Sequence, residues 1–178
     1  MTMSRRQATL LGGAALMAAC GSQSRTAANE RTQVLGAVDT ASDAATIDWA
    51  NLSEADWRDR LTDMEYYVLR EEGTERPGTS PLDKTYEAGV YNCAGCGLAL
   101  FTSDMKFDSG TGWPSFFNVI DGAVETKTDY KLILPRTEYH CARCGGHQGH
   151  VFKDGPAPTG LRYCNNGVAL DFVPQTET

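Results

Sequence analysis

The chain has 178 residues, of which 41% are hydrophobic and 22% charged, with a formal net charge of −7 and a pI near 4.9. That is the make-up of one ordinary globular domain and hardly of two. An acidic chain with no basic stripe has nothing to hold a phosphate backbone, so nucleic acid is excluded as a partner.

The chain opens with Arg5-Arg6 ahead of an apolar or small run over residues 8–19, closed by Met17-Ala18-Ala19-Cys20. The run is too short to cross a bilayer, which takes about 20 apolar residues. Its flanks fit a signal peptide over residues 1–20 of the twin-arginine type. Its end resembles a lipoprotein cleavage box, with Met17 where leucine is usual, so Cys20 is the expected lipid-anchored residue. The expected location is outside the cytoplasm, either periplasmic or as a membrane-anchored lipoprotein facing the periplasm. A cytosolic chain with an apolar start is the alternative. Residues 21–52 offer too few large apolar side chains to offset chain entropy and are expected to form a flexible linker.

Order is expected over residues 53–175. Ser53 with Asp56, then Thr62 with Glu65, are helix-start signals in which an acid reaches back to the first turn. Trp57 and Leu61 share one helical face, and Gly73 stands where a second helix should stop. Two short helices follow from this, then an irregular crossing at Pro77-Gly78-Thr79-Ser80-Pro81. From Gly89 onward short alternating runs are broken by glycine and proline. Tyr130, Leu132 and Leu134 are expected on one strand face, and Val168, Leu170 and Phe172 on another. Tyr91, Phe107 and Val151-Phe152 mark further strands. The pattern is all-β after the helices, a sandwich or open barrel.

Cys93-Ala94-Gly95-Cys96-Gly97 recurs as Cys141-Ala142-Arg143-Cys144-Gly145, with 44 residues between the two pairs. Four thiolates from two tight turns suit a tetrahedral Zn²⁺, here tying two distant hairpins together. Two small-ring disulfides or one redox-active pair are the alternatives, both favoured by an oxidising exterior. With Cys20 in the signal, Cys164 is left unpaired. A buried small hydrophobe is one reading of it. Arg162, Asn165 and Asn166 nevertheless supply charge and donors that favour a reactive thiolate. His147 and His150, three apart among glycines, would project into one cleft if the backbone turns there, giving a cysteine–histidine arrangement. His140 directly precedes a metal-ligand cysteine and reads as structural. Trp113, held between Gly112 and Pro114, is either a core anchor or an aromatic wall for an apolar methyl group.

Gly-Thr-Gly-Trp-Pro-Ser-Phe at 110–116, Cys-Ala-Arg-Cys-Gly-Gly-His-Gln-Gly-His-Val-Phe at 141–152 and Gly-Leu-Arg-Tyr-Cys-Asn-Asn at 160–166 resemble the methionine-R-sulfoxide reductase family. The resemblance runs over about residues 53–173. It implies a mainly β fold of two antiparallel sheets with short N-terminal helices. It implies one structural zinc per chain at Cys93, Cys96, Cys141 and Cys144, and a nucleophile at Cys164. Trp113 would pack on the substrate methyl with Phe116 beside it. His147, His150 and Asn166 would surround the sulfoxide oxygen, and Arg162 would hold Cys164 as thiolate. The expected reaction is reduction of methionine-R-sulfoxide in peptides and proteins through a Cys164 sulfenic acid. Enzymes of this class repair oxidised methionine, one per sulfoxide epimer. Many members carry a resolving cysteine where this chain has Thr111, so an external reductant, thioredoxin-like or a small thiol, is expected to regenerate it. The competing readings are a zinc-ribbon-like binding module without catalysis and a thiol oxidoreductase working through a Cys-x-x-Cys pair.

Overall fold

The computed structural model describes residues 47–132 and 134–176. The expected signal peptide, the Cys20 anchor and nearly all of the expected linker lie outside the described residues.

Helices α1 (Glu54–Arg60) and α2 (Asp63–Leu69) each begin in a reciprocal capping box. The Ser53 amide donates to Asp56 Oδ2 at 2.9 Å and the Asp56 amide to Ser53 Oγ at 3.2 Å. Thr62 and Glu65 repeat the exchange at 2.7 and 3.3 Å. Seven residues are too few for a helix to persist alone in water. What holds these two is burial of Trp57, Tyr66, Val68 and Leu69 against the rest of the domain. The second helix ends at Leu69, ahead of Gly73.

Nine strands follow among the described residues: β1 (Gly89–Cys93), β2 (Ala99–Thr102), β3 (Lys106–Phe107), β4 (Ser115–Phe116), β5 (Val124–Asp129), β6 (Arg136–Cys141), β7 (His147–Phe152), β8 (Arg162–Asn165) and β9 (Leu170–Pro174). They form two antiparallel sheets, one ordered β2-β1-β9 and the other β3-β4-β8-β7-β6-β5. Among the described residues the fold is therefore mainly β, with two antiparallel sheets and two short helices. The sheets meet through aromatic rings. Phe101 of the smaller sheet stacks on Phe116 of the larger at 4.0 Å, and Tyr91 meets Phe116 edge-on at 5.0 Å. Such pairs add roughly 0.5–1.5 kcal/mol each beyond their burial.

Two strand expectations fail. Tyr130, Leu132 and Leu134 lie in the β5–β6 connection with side chains 76%, 59% and 76% exposed. Asp129 ends β5 by accepting the Lys131 amide on Oδ1 at 2.8 Å, an Asx turn that takes the chain out of the ladder. Val168 falls in the tight 3₁₀ turn Gly167–Ala169, and its strand starts only at Leu170.

Candidate active site and metal centre

The two Cys-x-x-Cys turns come together against the helices, close to Trp57, Leu69 and Arg70. Each closes on itself: the Gly97 amide donates to the Cys93 carbonyl and the Gly145 amide to the Cys141 carbonyl, both at 2.8 Å. All four cysteines are buried and their sulfurs lie within 4.8 Å of one another. Contacts run between turns, Cys93 to Cys144 at 3.6 Å and Cys96 to Cys141 at 3.5 Å. A tetrahedron with metal–sulfur bonds of about 2.3 Å spaces its sulfurs about 3.8 Å apart, so the donor set fits a tetrahedral cation. Four packed thiols also cannot all ionise alone. Hydrogen bonds from Cys144 and Cys93 pull the Cys141 thiol down, while those with Cys141 push Cys93 and Cys144 up. Arg70 and Arg143 clamp the turns, donating to the Cys144 carbonyl at 2.9 Å and the Cys96 carbonyl at 3.1 Å.

Cys164 lies elsewhere, on β8, with Ser115 of β4 and His150 of β7 as its cross-strand neighbours. It is half-buried in the wall of a cleft of about 200 Å³ that Trp113, Arg136, Gly149, His150, Phe152, Asn165 and Asn166 also line. That is below the roughly 300–1,000 Å³ of a drug-sized pocket and on the scale of one side chain.

Trp113 is placed by a pinned turn. Gly112 adopts φ +84°, and a Cβ there would sit 2.9 Å from the Gly78 nitrogen, so only glycine lets the two segments meet. The Gly78 amide donates to the Gly112 carbonyl at 2.7 Å, and the Trp113 indole N–H donates to the Glu75 carbonyl at 3.2 Å. With its polar edge engaged, the ring offers the cleft its apolar face.

His150 contacts Asp129 Oδ2 through Nε2 at 2.8 Å, and the same oxygen accepts from Arg136. Burial lowers the His150 pKa, and Asp129 opposes the shift. The Asp129 carboxyl is itself held well below the usual range, by the Lys131 amide and then by His150 and Arg136. His147 is 2% exposed and does not line the cleft; its ring lies 5.5 Å from that of His150. Its Nδ1 is 2.9 Å from Glu138 Oε1 but off the hydrogen-bond direction, so both ring nitrogens lack a well-aligned partner. Burial again lowers its pKa against the pull of Glu138. Asn166 lines the cleft with its amide already committed. It accepts the Glu75 amide on Oδ1 and donates through Nδ2 to the Gln148 carbonyl, both at 3.0 Å.

The electrostatics of Cys164 differ from the expectation. Burial raises its pKa, outweighing the pull of Arg162 and of the Thr111 and Ser115 hydroxyls. Arg162 is largely spent on Asp154, donating through Nε and Nη2 at 2.9 and 2.8 Å while lying over Phe152. Phe116 lies apart from the cleft. It is fully buried between Phe101 and Tyr91 and lines no part of the cleft.

Several residues here carry no signal that motif reading finds. Asp129 reaches His150, and Glu138 comes within 2.9 Å of His147, only because β5, β6 and β7 pair side by side. Gln148, fully buried, donates to Cys93 Sγ at 3.4 Å and accepts from Asn165 Nδ2 at 3.3 Å. It thereby joins the sulfur cluster to the strand that carries Cys164. Tyr139 donates to the other side of Asn165 at 2.5 Å.

Comparison with known proteins defines the class. The SelR domain model matches residues 61–174. A peptide methionine sulfoxide reductase of Agrobacterium fabrum is 55% identical over 125 residues, covering 70% of this chain and 93% of its own. One from Methanosarcina barkeri is 54% identical, covering 70% and 89%, and one from Leptospira interrogans is 50% identical, covering 68% and 94%. The chain belongs to the SelR domain family. Its activity is that of a peptide methionine sulfoxide reductase, and methionine sulfoxides are its substrates. A binding module without catalysis is thereby ruled out.

Proposed function

We propose that the cleft beside Trp113 reduces the R epimer of methionine sulfoxide, with Cys164 as the nucleophile. The observation that carries this is the meeting, in one side-chain-sized cleft, of a lone cysteine, an apolar indole face and a histidine held by a carboxylate. The substrate methyl packs on Trp113 and its oxygen turns toward His150 and Asn166. Near neutral pH both Cys164 and His150 are uncharged, the thiol pushed up and the imidazole pushed down. The Cys164 proton is therefore moved within the cleft, from sulfur to the sulfoxide oxygen, with His150 as relay. His147, behind it, bears on the orientation and basicity of His150.

The Cys164 sulfur bonds to the sulfoxide sulfur while the S–O bond breaks, the oxygen leaving as water with the Cys164 proton and one from solvent. Water then adds to the Cys164 sulfur, breaking the sulfur–sulfur bond and returning a proton, so that two electrons pass from cysteine to substrate. The products are methionine and a Cys164 sulfenic acid. An external thiol condenses with that acid, releasing water and leaving a mixed disulfide, and a second thiol frees Cys164. Thr111, at the position of a resolving cysteine, cannot do this internally. Among the described residues the other cysteines are the four buried in the cluster.

Cys93, Cys96, Cys141 and Cys144 would hold Zn²⁺, which supplies a structural cross-link between the two turns. Export by a folded-protein route, with Cys20 as a lipid anchor, completes the proposal and rests on the N-terminal sequence alone.

The decisive assay is turnover of separated R and S sulfoxides by the wild type and Cys164→Ser. Turnover of R alone, lost in the variant, is expected. Equal rates on both epimers, or an active Cys164→Ser, would overturn the assignment.

A further inference from the structure

Thr74, Trp113 and Asn166, which line the Cys164 cleft, come from distant parts of the chain and meet at Glu75. Thr74 is its chain neighbour. The Glu75 carbonyl accepts the Trp113 indole N–H at 3.2 Å, and the Glu75 amide donates to Asn166 Oδ1 at 3.0 Å. A little further on, the Gly78 amide grips the turn beside Trp113 at the Gly112 carbonyl. Residues 74–78 carry no helix or strand, so no ladder of hydrogen bonds sets the place of this strap. The Glu75 side chain does. It is 7% exposed, and each carboxylate oxygen accepts one main-chain amide of the turn after Asn166, Oε1 from Gly167 and Oε2 from Val168 at 3.1 Å. Burial pushes its pKa up, and those two amides pull it down. A buried carboxylate is costly unless hydrogen-bonded, and both oxygens of this one are spent on main chain.

We propose that Glu75 is a positioning residue for the reaction: its carboxylate fixes the strap, and through it the spacing between the Trp113 wall that takes the substrate methyl and the Asn166 wall that takes the oxygen. Both walls are bonded to the backbone of residue 75, so a shift there moves their spacing directly. They are not equally secure. Asn166 keeps two further bonds to the Gln148 carbonyl, one from its amide at 2.8 Å and one from Nδ2 at 3.0 Å. The indole is tied at its polar edge to Glu75, so Trp113 is the wall that drifts when the strap loosens. A misplacement of about 1 Å can cost about 100-fold in rate. Cys164 and His150 are fixed independently, by the pairing of β7 with β8 and by Asp129. The effect therefore falls on how the sulfoxide is held and leaves the nucleophile as it is. The inference rests on the assignment of the cleft as the substrate site.

The test is single turnover of N-acetyl-methionine-R-sulfoxide amide, without reductant, by the full chain as wild type, Glu75→Gln and Val168→Pro. Glutamine keeps the size of the side chain but sets its amino group against one of the two amides, donor against donor. Val168→Pro leaves Glu75 untouched and removes the N–H that Oε2 accepts, within the first turn of a 3₁₀ segment, where proline is tolerated. The half-saturating sulfoxide concentration should rise about tenfold in Glu75→Gln and about threefold in Val168→Pro. That concentration does not depend on how much of the sample is folded, so lost stability alone does not move it. The rate of Cys164 alkylation by iodoacetamide, read by mass, should stay at the wild-type value in both. Wild-type half-saturation in Glu75→Gln, or in Val168→Pro where Glu75→Gln does not fold, overturns the proposal. An alkylation rate that changes as much as the half-saturation also overturns it, because Glu75 would then support the whole site and not its substrate walls. A wild type that reduces no sulfoxide, or an active Cys164→Ser, would instead refute the cleft assignment.

Discussion

Gln148→Ala tests whether the sulfur cluster and the cleft are one mechanical unit. Gln148 is fully buried, and its side chain gives one hydrogen bond to Cys93 Sγ and takes one from Asn165. Each neutral bond contributes about 1 kcal/mol net, and truncation to alanine leaves a void, for a total of roughly 2–4 kcal/mol. At about 4 °C per kcal/mol for a domain of this size, Tm should fall by roughly 8–16 °C. Gln148→Met keeps the volume and loses both bonds, so roughly half of that fall should remain. Outer partners of metal ligands are worth about 10–100-fold in metal affinity. Both variants should therefore yield zinc to a chromogenic chelator at correspondingly lower chelator concentration. Because Asn165 borders the cleft and the Gln148 main chain holds Asn166, kcat/KM should fall about tenfold alongside. A Gln148→Met enzyme that loses Tm yet keeps wild-type zinc affinity and kcat/KM would reduce this residue to a packing element and refute the coupling.

Gly149→Ala should damage both stability and rate, because a Cβ there would lie 1.9 Å from the Cys164 carbonyl oxygen and β8 would have to move. Overpacking of this kind costs about 1–3 kcal/mol, and thermal melts with kcat/KM check it; a wild-type enzyme refutes it. The pH profile follows from Cys164, whose pKa burial lifts above the usual thiol value. Since the thiolate is the stronger nucleophile, free-enzyme kcat/KM should keep climbing above neutral pH, and Thr111→Val, which removes a hydroxyl that pulls the pKa down, should push that limb higher. A plateau beginning in mildly acid buffer counts against burial as the dominant cause. Thr111→Cys should let the oxidised enzyme close an internal disulfide, seen as loss of two hydrogens in intact mass after one equivalent of sulfoxide. A mass gain of one oxygen in that variant would mean the two sulfurs cannot reach bonding geometry.

The sequence by itself determined what is local. Two capping boxes, the paired Cys-x-x-Cys turns and the rigid Gly-Trp-Pro turn are each written within a few residues, because the bonds that define them span three or four positions. A lone cysteine could likewise be singled out by elimination, since four others were accounted for by spacing and Cys20 was assigned to the N-terminal signal. The alternation of Tyr130, Leu132 and Leu134 misled, since a period of two reads the same in a strand and in an extended connection. Only the Asx turn at Asp129 separates them. Phe116 belongs to the same turn motif as Trp113, but the pleat of β4 aims it into the aromatic core, which its place in the motif does not reveal.

What the tertiary structure alone decided is pairing and burial. Which acid meets which histidine depends on the register of β5, β6 and β7, a property of three strands that no one of them encodes. Whether Cys164 is thiol or thiolate depended on how much water remains around it and on Arg162 being drawn to Asp154. Charge near a cysteine in sequence is cheap to read, while desolvation exists only once the sheets have closed.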